Sequence, residues 1–441
     1  MKNKRSKSEI LTTVAMVVIA VLCLASVVFV FYRAATAKPN SSVTSTSEIE
    51  QVDPGTESTE TVTLHEKEYT ITVPGTIDLK DYDETKYINS DGRYTFNTRD
   101  YIENQEITLP EFNGKKEEYT PTEEAILEEI DKLLKNNSEF IEYEDEEHQI
   151  VEGDTVIVNY SAYYNGVEMP SIADTEASLV VGSENYIPGF EEALIGHKKG
   201  EEFSCEVTFP ETYTSDGTVD GDVSTAEDAD GNEVTLTGNT FEFKIEVVKV
   251  GNEQIPELTD EWVAKNVGES SELPINSIED LKSYYNTMLY YSALISDVNT
   301  YVVDEVLPTI EFKDIPKELI EFIISSGLYQ YYQYGESLGM TLDTTLYTYT
   351  GNNVHDFIVE NLESIAEQAI QLMTWDLVYD EVLKLGAANV ADEEKFKTLM
   401  NEIVCVELTD EELTKILAAN GTEYSKNYAT QYAIADFLVK E

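Results

Sequence analysis

Apolar and polar residues alternate with a period of two in three stretches near the middle of the chain. Phe203, Cys205, Val207 and Phe209 fall on one side of the first; Glu202, Ser204, Glu206 and Thr208 fall on the other, and Pro210 closes it. Val156, Val158 and Tyr160 alternate upstream, as do Phe241, Phe243, Ile245 and Val247 downstream. A period of two marks a half-buried β-strand. Two glycine turns, at Gly189 and Gly196, bracket a short segment whose apolar face is Phe190, Leu194 and Ile195, which predicts one short amphipathic helix. Strands around one helix predict an antiparallel sheet wrapped on it, with an apolar hollow on the concave side.

Beyond Pro256 the period lengthens to three or four. Ser277 with Asp280 resembles a capping box, after which Leu281, Tyr285, Met288, Ile295 and Val302 keep helical spacing until Pro308. Asp314-Ile315-Pro316 opens a second helix through Leu319, Ile320, Ile323 and Ile324, reaching a tyrosine cluster at 328–335. A long helix is predicted after Asn353, with Phe357, Ile358, Leu362, Ile365, Ile370 and Met373 inward and Gly386 as its stop. Shorter helices are predicted near Asp392, at Thr409 with Glu412 as capping partner, and near Ser425. Before the sheet, Thr120 or Thr122 caps a helix with the stripe Ile126, Ile130, Leu133 and Leu134.

The opening residues differ from all of this. Lys2, Lys4, Arg5 and Lys7 precede an uncharged apolar run, 10–32, of about 23 residues, long enough to span a bilayer. The basic cluster places the N-terminus in the cytoplasm and the rest outside. A cleaved signal peptide with Ala35-Thr36-Ala37 as its cleavage site is the competing reading, but signal cores run only about 7–15 residues. Residues 39–61 are rich in Ser, Thr and Glu and read as a flexible tether. Residues 62–74 alternate like a strand pair or one bent strand, inside a small β-containing region at 62–118.

Composition narrows the function. The 441 residues carry a net charge of −57, which excludes nucleic acid as a partner, since phosphate binding needs a basic patch, and argues against docking on a ribosome. The acidic excess reads as a solubility device. The three cysteines, Cys23, Cys205 and Cys405, make no disulfide framework and no metal-ligand cluster; a Cys205–Cys405 pair and two separate buried thiols both remain open. No phosphate loop, nucleophile triad or metal set is present, so no cofactor is implied. His197, in a Gly-His-Lys-Lys-Gly turn, reads as structural.

The run Ile187-Pro188-Gly189-Phe190-Glu191-Glu192, then Gly196-His197-Lys198-Lys199-Gly200-Glu201-Glu202-Phe203 and Val207-Thr208-Phe209-Pro210-Glu211, resembles the FKBP-type prolyl isomerase domain, in the version found inside trigger factor. The segments 254–263 and 335–351 are similar to that family's exit linker and helical chaperone domain. The resemblance implies an α+β chain: an FKBP-like antiparallel sheet wrapped on a short helix, then an α-helical chaperone domain, preceded here by the transmembrane helix. The domain limits are 1–38 anchor, 39–61 tether, 62–118 β-containing region, 119–149 linker helix, 150–250 isomerase domain and 251–441 chaperone domain.

The same resemblance implies a pocket of Tyr160, Tyr186, Ile187, Phe190 and Phe243. Phe190 would be its floor, the Ile187 N–H would donate to a substrate carbonyl, and Tyr213 would add a hydroxyl. Met169-Pro170 stands where the family shows an aromatic and an acid, and Ala177 where it shows a Phe. Loss of the acid removes a polar contact, and Ala177 widens one wall, so Met169 and Ala177 are candidate substrate-binding positions for a weakened or altered isomerase. An insertion at 214–239 reads as a flap over the pocket; its Asp228-Ala229-Asp230-Gly231-Asn232-Glu233 spacing hints at calcium, but the ligand set is incomplete. The family's ribosome-binding signature is absent.

Tyrosine is abundant, 28 in all. Tyr331 and Tyr332 cannot both face inward on one helix, so they are candidates for contacting unfolded chains. The expected activity is membrane-anchored, extracytoplasmic prolyl isomerisation with chaperoning of newly exported polypeptides. The alternatives are a holdase without catalysis and a surface interaction scaffold.

Overall fold

The computed structural model describes residues 57–439 apart from 76, 105, 212–224, 230, 270–272 and 405. The apolar run at 10–32 therefore lies outside the described residues; among those described, no helix is long and apolar enough to cross a membrane. The described residues form two units, one of 57–129 with 258–439 and one of 130–257. The architecture is mixed α+β, with an antiparallel sheet in the second unit and helices dominating the first.

The first unit begins as a hairpin, β1 (Ser58–Leu64) and β2 (Lys67–Val73), so the alternation at 62–74 is a strand pair. His65 and Glu66 both hold positive φ (49° and 67°), the left-handed pair that a two-residue turn requires. Val62, Leu64, Tyr69, Ile71 and Val73 are buried. Irregular chain follows to helix α1 (Glu123–Asn136), where Thr122 Oγ1 accepts from Ala125 N at 3.2 Å.

The second unit holds β3 (Glu139–Glu142), β4 (Thr155–Tyr164), β5 (Val167–Val180), β6 (Glu202–Thr208), the short pair β7 (Thr225–Glu227) and β8 (Glu233–Thr235), and β9 (Thr240–Gln254). The sheet order is β3-β9-β4-β5, and β6 also pairs with β9. Alternation holds along β9, where Phe241, Phe243, Ile245 and Val247 are buried between exposed neighbours. They join Val156, Val158, Leu194 and Val207 in one core. The predicted short helix is a single 3-10 turn, Glu192–Leu194. Phe190 and Leu194 are buried in it, but Ile195 is 48% exposed. Ile195 leaves the turn in extended conformation (φ −61°, ψ 129°), which swings its side chain to solvent and corrects its assignment to the apolar face.

The first unit resumes with α2 (Ile278–Tyr301), α3 (Lys317–Leu338), α4 (Leu342–Thr350), α5 (Val354–Glu360), α6 (Leu362–Leu385), α7 (Glu393–Val404), α8 (Asp410–Asn420) and α9 (Thr422–Leu438). Ser277 caps α2, and Thr409 with Glu412 makes a capping box on α8. The long helix expected after Asn353 is broken at Asn361 (φ −102°, ψ 8°) into α5 and α6, and α9 starts three residues before Ser425. Helix α6 is apolar on most sides and buries Ile365, Ala366, Ala369, Ile370, Met373, Leu377, Val378 and Val382, as a central helix must.

The irregular segment after β2 is bonded to these helices. Arg93 meets Asp376 at 2.7 Å and Asp380 at 2.8 Å; Thr98 Oγ1 donates to Asp376 Oδ2 at 2.5 Å, and Arg99 pairs with Glu381. From α9, Lys426 Nζ donates to Ser90 O at 2.9 Å and Asn427 Nδ2 to Gly92 O at 2.9 Å.

The Asp376 side chain is only 9% exposed. Arg93→Ala therefore leaves a buried carboxylate without its cation and costs about 3–5 kcal/mol, measured by urea unfolding of the full chain. Arg93→Lys should cost less. A second prediction concerns pH. Burial pushes Glu84 up to about 7. For an acid raised in the folded state, the stabilisation is complete below the ordinary carboxylate range and is lost as pH rises through that value. Thermal unfolding of this unit should thus come at higher temperature at pH 5 than at pH 8, and Glu84→Gln should flatten the difference.

Candidate functional site

The aromatic cluster is built from two places in the sequence that the fold brings together. Strands β4 and β9 deliver Tyr160 and Phe243 to one face, and the 182–190 loop lays Tyr186, Ile187 and Phe190 against them. The Phe190 ring lies 5.2 Å from Tyr160, 5.2 Å from Phe243 and 5.2 Å from Tyr186, edge-on to the first two and stacked on the third. Phe190 and Phe243 are buried, while Tyr160, Tyr186 and Ile187 keep part of their surface in solvent. The arrangement is a buried aromatic floor with a half-exposed rim. Among the described residues, no group of the chain accepts from the Ile187 N–H; the Ile187 carbonyl accepts from Phe190 N at 3.1 Å.

The loop owes its shape to one carboxylate. Glu191, 4% exposed, accepts from Gly182 N (2.8 Å), Ser183 Oγ (2.9 Å), Glu184 N (3.2 Å), Asn185 N (3.1 Å) and Tyr186 N (3.1 Å). Burial alone would raise its pKa; the hydrogen bonds from Ser183, Tyr186, Glu184 and Gly182 outweigh that and hold it below the ordinary range. Gly189, at φ +96°, lets the chain turn from Ile187 into the 3-10 segment. Burial raises the Tyr186 phenol, with Asp174 and Glu191 adding to the effect.

A second buried carboxylate anchors the start of β4. Asp154 accepts from Tyr143 Oη at 2.8 Å, His148 Nε2 at 2.8 Å and Val151 N at 2.9 Å. His197 stacks flat on Phe203, 3.7 Å between ring centres, with Nδ1 2.9 Å from Glu201 Oε2.

Other candidates are placed differently. Met169 has no exposed surface and Ala177 is 7% exposed; both belong to the same buried core as Phe190 and Phe243. Tyr213 and Cys405 lie outside the described residues, and the Cys205 thiol is free and half-buried. Of the insertion, residues 225–227 and 233–235 pair as β7 and β8, and Ala229 N donates to Glu168 O on β5 at 2.8 Å. Asp228 closes its turn by accepting from Asn232 N at 2.8 Å. A polar depression beside Tyr160 is lined by Asn159, Ser161, Glu168, Asp174, Glu202, Lys244 and Glu246.

In the helical unit Tyr331 and Tyr332 are both half-buried, Tyr331 near Phe357 and Tyr332 beside Tyr329. The exposed tyrosines are others: Tyr334 (45%), Tyr347 (67%) and Tyr349 (55%), the first and last joined through their hydroxyls at 3.2 Å. Sequence reasoning missed Tyr347 and Tyr349 because they lie on α4, outside the dense cluster that drew attention.

Residues 146–248 match the model of the FKBP-type peptidyl-prolyl cis-trans isomerase family. Over a longer span the chain is similar to the trigger factor of Caldicellulosiruptor saccharolyticus, 27% identical across 76% of this chain and 70% of the relative. It is similar also to that of Bacillus cytotoxicus, 29% identical across 66% of this chain and 62% of the relative. A solved structure of the trigger factor chaperone aligns over 76% of this chain and 70% of that one at 17% identity; its TM-score of 0.30 is too low to carry an argument. The middle of the chain is thus an FKBP-type domain. The chain that carries it is trigger factor-like.

Glu191→Ala removes the common acceptor of five donors. Amide hydrogen exchange should show Gly182, Glu184, Asn185 and Tyr186 losing protection by about 10-fold or more while β9 amides change far less. Because Glu191 is held low, wild-type loop protection should persist above the ordinary carboxylate range and be lost as the pH falls through the lowered value.

Proposed function

We propose that the chain is a peptidyl-prolyl cis-trans isomerase and folding chaperone, anchored by its N-terminal apolar run and acting outside the cytoplasm on newly exported polypeptides. The observation that carries the catalytic part is the free Ile187 N–H beside the aromatic floor. Rotation about an X–Pro bond is opposed by amide resonance worth about 18–20 kcal/mol. A prolyl ring on Phe190, walled by Tyr160, Tyr186 and Phe243, sits in a water-poor place that disfavours the charge-separated resonance form. The Ile187 N–H holds a substrate carbonyl while the imide twists, and Tyr213 is the candidate for a second polar contact. The reaction needs no nucleophile, metal or acid–base pair. The Met169-Pro170 pair, which lacks an acid, and the small side chain of Ala177 support an isomerase of weakened or altered activity.

Chaperoning has a separate support. Tyr334, Tyr347 and Tyr349, with Leu338 at 53% exposure, offer apolar surface of large area and low entropy cost to unfolded chains. The absence of the family's ribosome-binding signature and the charge of −57 favour work away from the ribosome. The length of the 10–32 run and its basic flank support the anchor and the extracytoplasmic location.

Full-length protein should accelerate the proline-limited refolding of an unfolded substrate, and Tyr160→Ala should reduce that acceleration about 10-fold with the far-ultraviolet dichroism unchanged. Refolding at the rate of buffer alone would leave a holdase. The chain should also suppress aggregation of a proline-free client, with the Tyr334→Ser/Tyr347→Ser/Tyr349→Ser variant markedly weaker; failure there would leave only a scaffold role.

A further inference from the structure

Strand β6 is paired on one side only. Its residues 202–208 lie against 240–246 of β9, and among the described residues no strand stands on its other side. The direction of its backbone groups follows from the bonds at its two ends. Val247 N donates to Glu201 O at 3.0 Å, and Phe209 N donates to Asn239 O at 3.0 Å. Bonded and non-bonded positions alternate along an antiparallel pair, so Phe203, Cys205 and Val207 turn their N–H and C=O to β9. Glu202, Ser204, Glu206 and Thr208 turn theirs outward, and among the described residues nothing bonds those groups. An open row of donors and acceptors is a template for another strand.

Side chains on the two faces of this edge differ. Phe203 and Cys205 pack against the core yet stay half-exposed, so the apolar layer is left uncovered along the edge. On the other face Glu202, Ser204 and Glu206 are exposed. Register sets Glu202 opposite Glu246 and Glu206 opposite Glu242, at the non-bonded positions where cross-strand side chains come closest. Like charges so placed are unfavourable. Lys244, between the two pairs, is drawn over the Tyr163 ring with Nζ 3.9 Å from its centre. Among the described residues Glu202, Glu206 and Lys244 make no ion pair. A second copy of β6 would bring further carboxylates into this row, which argues against pairing of the edge with itself.

We propose that this edge takes up an extended client segment as an added strand, one with apolar residues at alternate positions and Lys or Arg between them. Its apolar side chains cover Phe203 and Cys205, and its cations meet Glu202 and Glu206. The outward groups of Glu202, Ser204, Glu206 and Thr208 supply the main-chain bonds. The inference rests on the chaperone reading above and adds to the tyrosine surface a contact that reads backbone and alternation.

The test uses the full chain with the peptide Lys-Val-Lys-Val-Lys-Val-Lys and the same sequence with Glu for Lys. At low salt the lysine peptide should bind about 10-fold tighter than the glutamate one, and raising the salt to about 1 M should compress the difference. Bound lysine peptide should slow exchange of the Ser204 and Glu206 amides about 10-fold, the net worth of one added hydrogen bond. Ser204→Pro removes an outward donor and no bond to β9, at an edge where proline is tolerated. It should weaken binding about 10-fold, whereas Ser204→Ala should leave it unchanged. Where Ser204→Pro does not fold, the exchange pattern of the wild-type chain decides. Glu202→Gln/Glu206→Gln should weaken the lysine peptide about 5-fold. No protection on β6, or equal affinity for both peptides, overturns the proposal; the chaperone reading stands if aggregation of the proline-free client is still suppressed. Loss of that suppression as well overturns both.

Discussion

The loop over the aromatic cluster of the middle unit depends on a single buried carboxylate. Glu191 gathers five donors from residues 182–186, and a loop of five residues with no regular structure is thereby fixed over Phe190. A buried carboxylate is costly to desolvate, and only a full set of partners makes it favourable. That requirement works in the other direction too: with the carboxylate satisfied, the loop has one conformation. Tyr186 is then stacked on Phe190, and among the described residues nothing accepts from the Ile187 N–H. The aromatic floor supplies the shape of the site; Glu191 keeps its rim in place.

The helical unit rests on the same principle at larger scale. Residues 77–104 have little apolar periodicity, yet charged and polar groups on α6 and α9 bond them, alongside the burial of Tyr87, Ile88, Tyr94 and Ile102. Asp376 lies one turn before Asp380 and Glu381 on α6, and the three are matched by Arg93 and Arg99. Two arginines are enough to tie an irregular segment to the central helix. In a chain so acidic these pairs also relieve local repulsion that would otherwise loosen α6.

Much of this was legible in the sequence, and the reasons for the rest are physical. Period two gave β4, β6 and β9 because each buries one face only, and Ser277 and Thr409 marked helix starts through chemistry local to the helix. The aromatic cluster followed from the resemblance, with Tyr160, Tyr186, Ile187, Phe190 and Phe243 brought together as expected. Glu191 was hidden: a Glu in a polar run looks like any surface acid until the loop folds round it. The register shift along β5 between its pairings with Tyr160 and Ala162 depends on the partner strand, which no local pattern encodes. The break at Asn361 likewise escaped a reading based on apolar spacing, since the stripe continues through it. Ile195 misled for the opposite reason, as its apolar character suggested a burial that the 3-10 turn is too short to provide.

The account turns on whether a proline seated on Phe190 is held by the Ile187 amide and rotated there. Nuclear magnetic resonance exchange spectroscopy on the full-length protein with a proline peptide measures both at once. The predicted result is faster cis–trans exchange of the peptide with a chemical-shift change centred on the Ile187 amide. Exchange at the uncatalysed rate, or acceleration with the Ile187 amide unmoved, would contradict it.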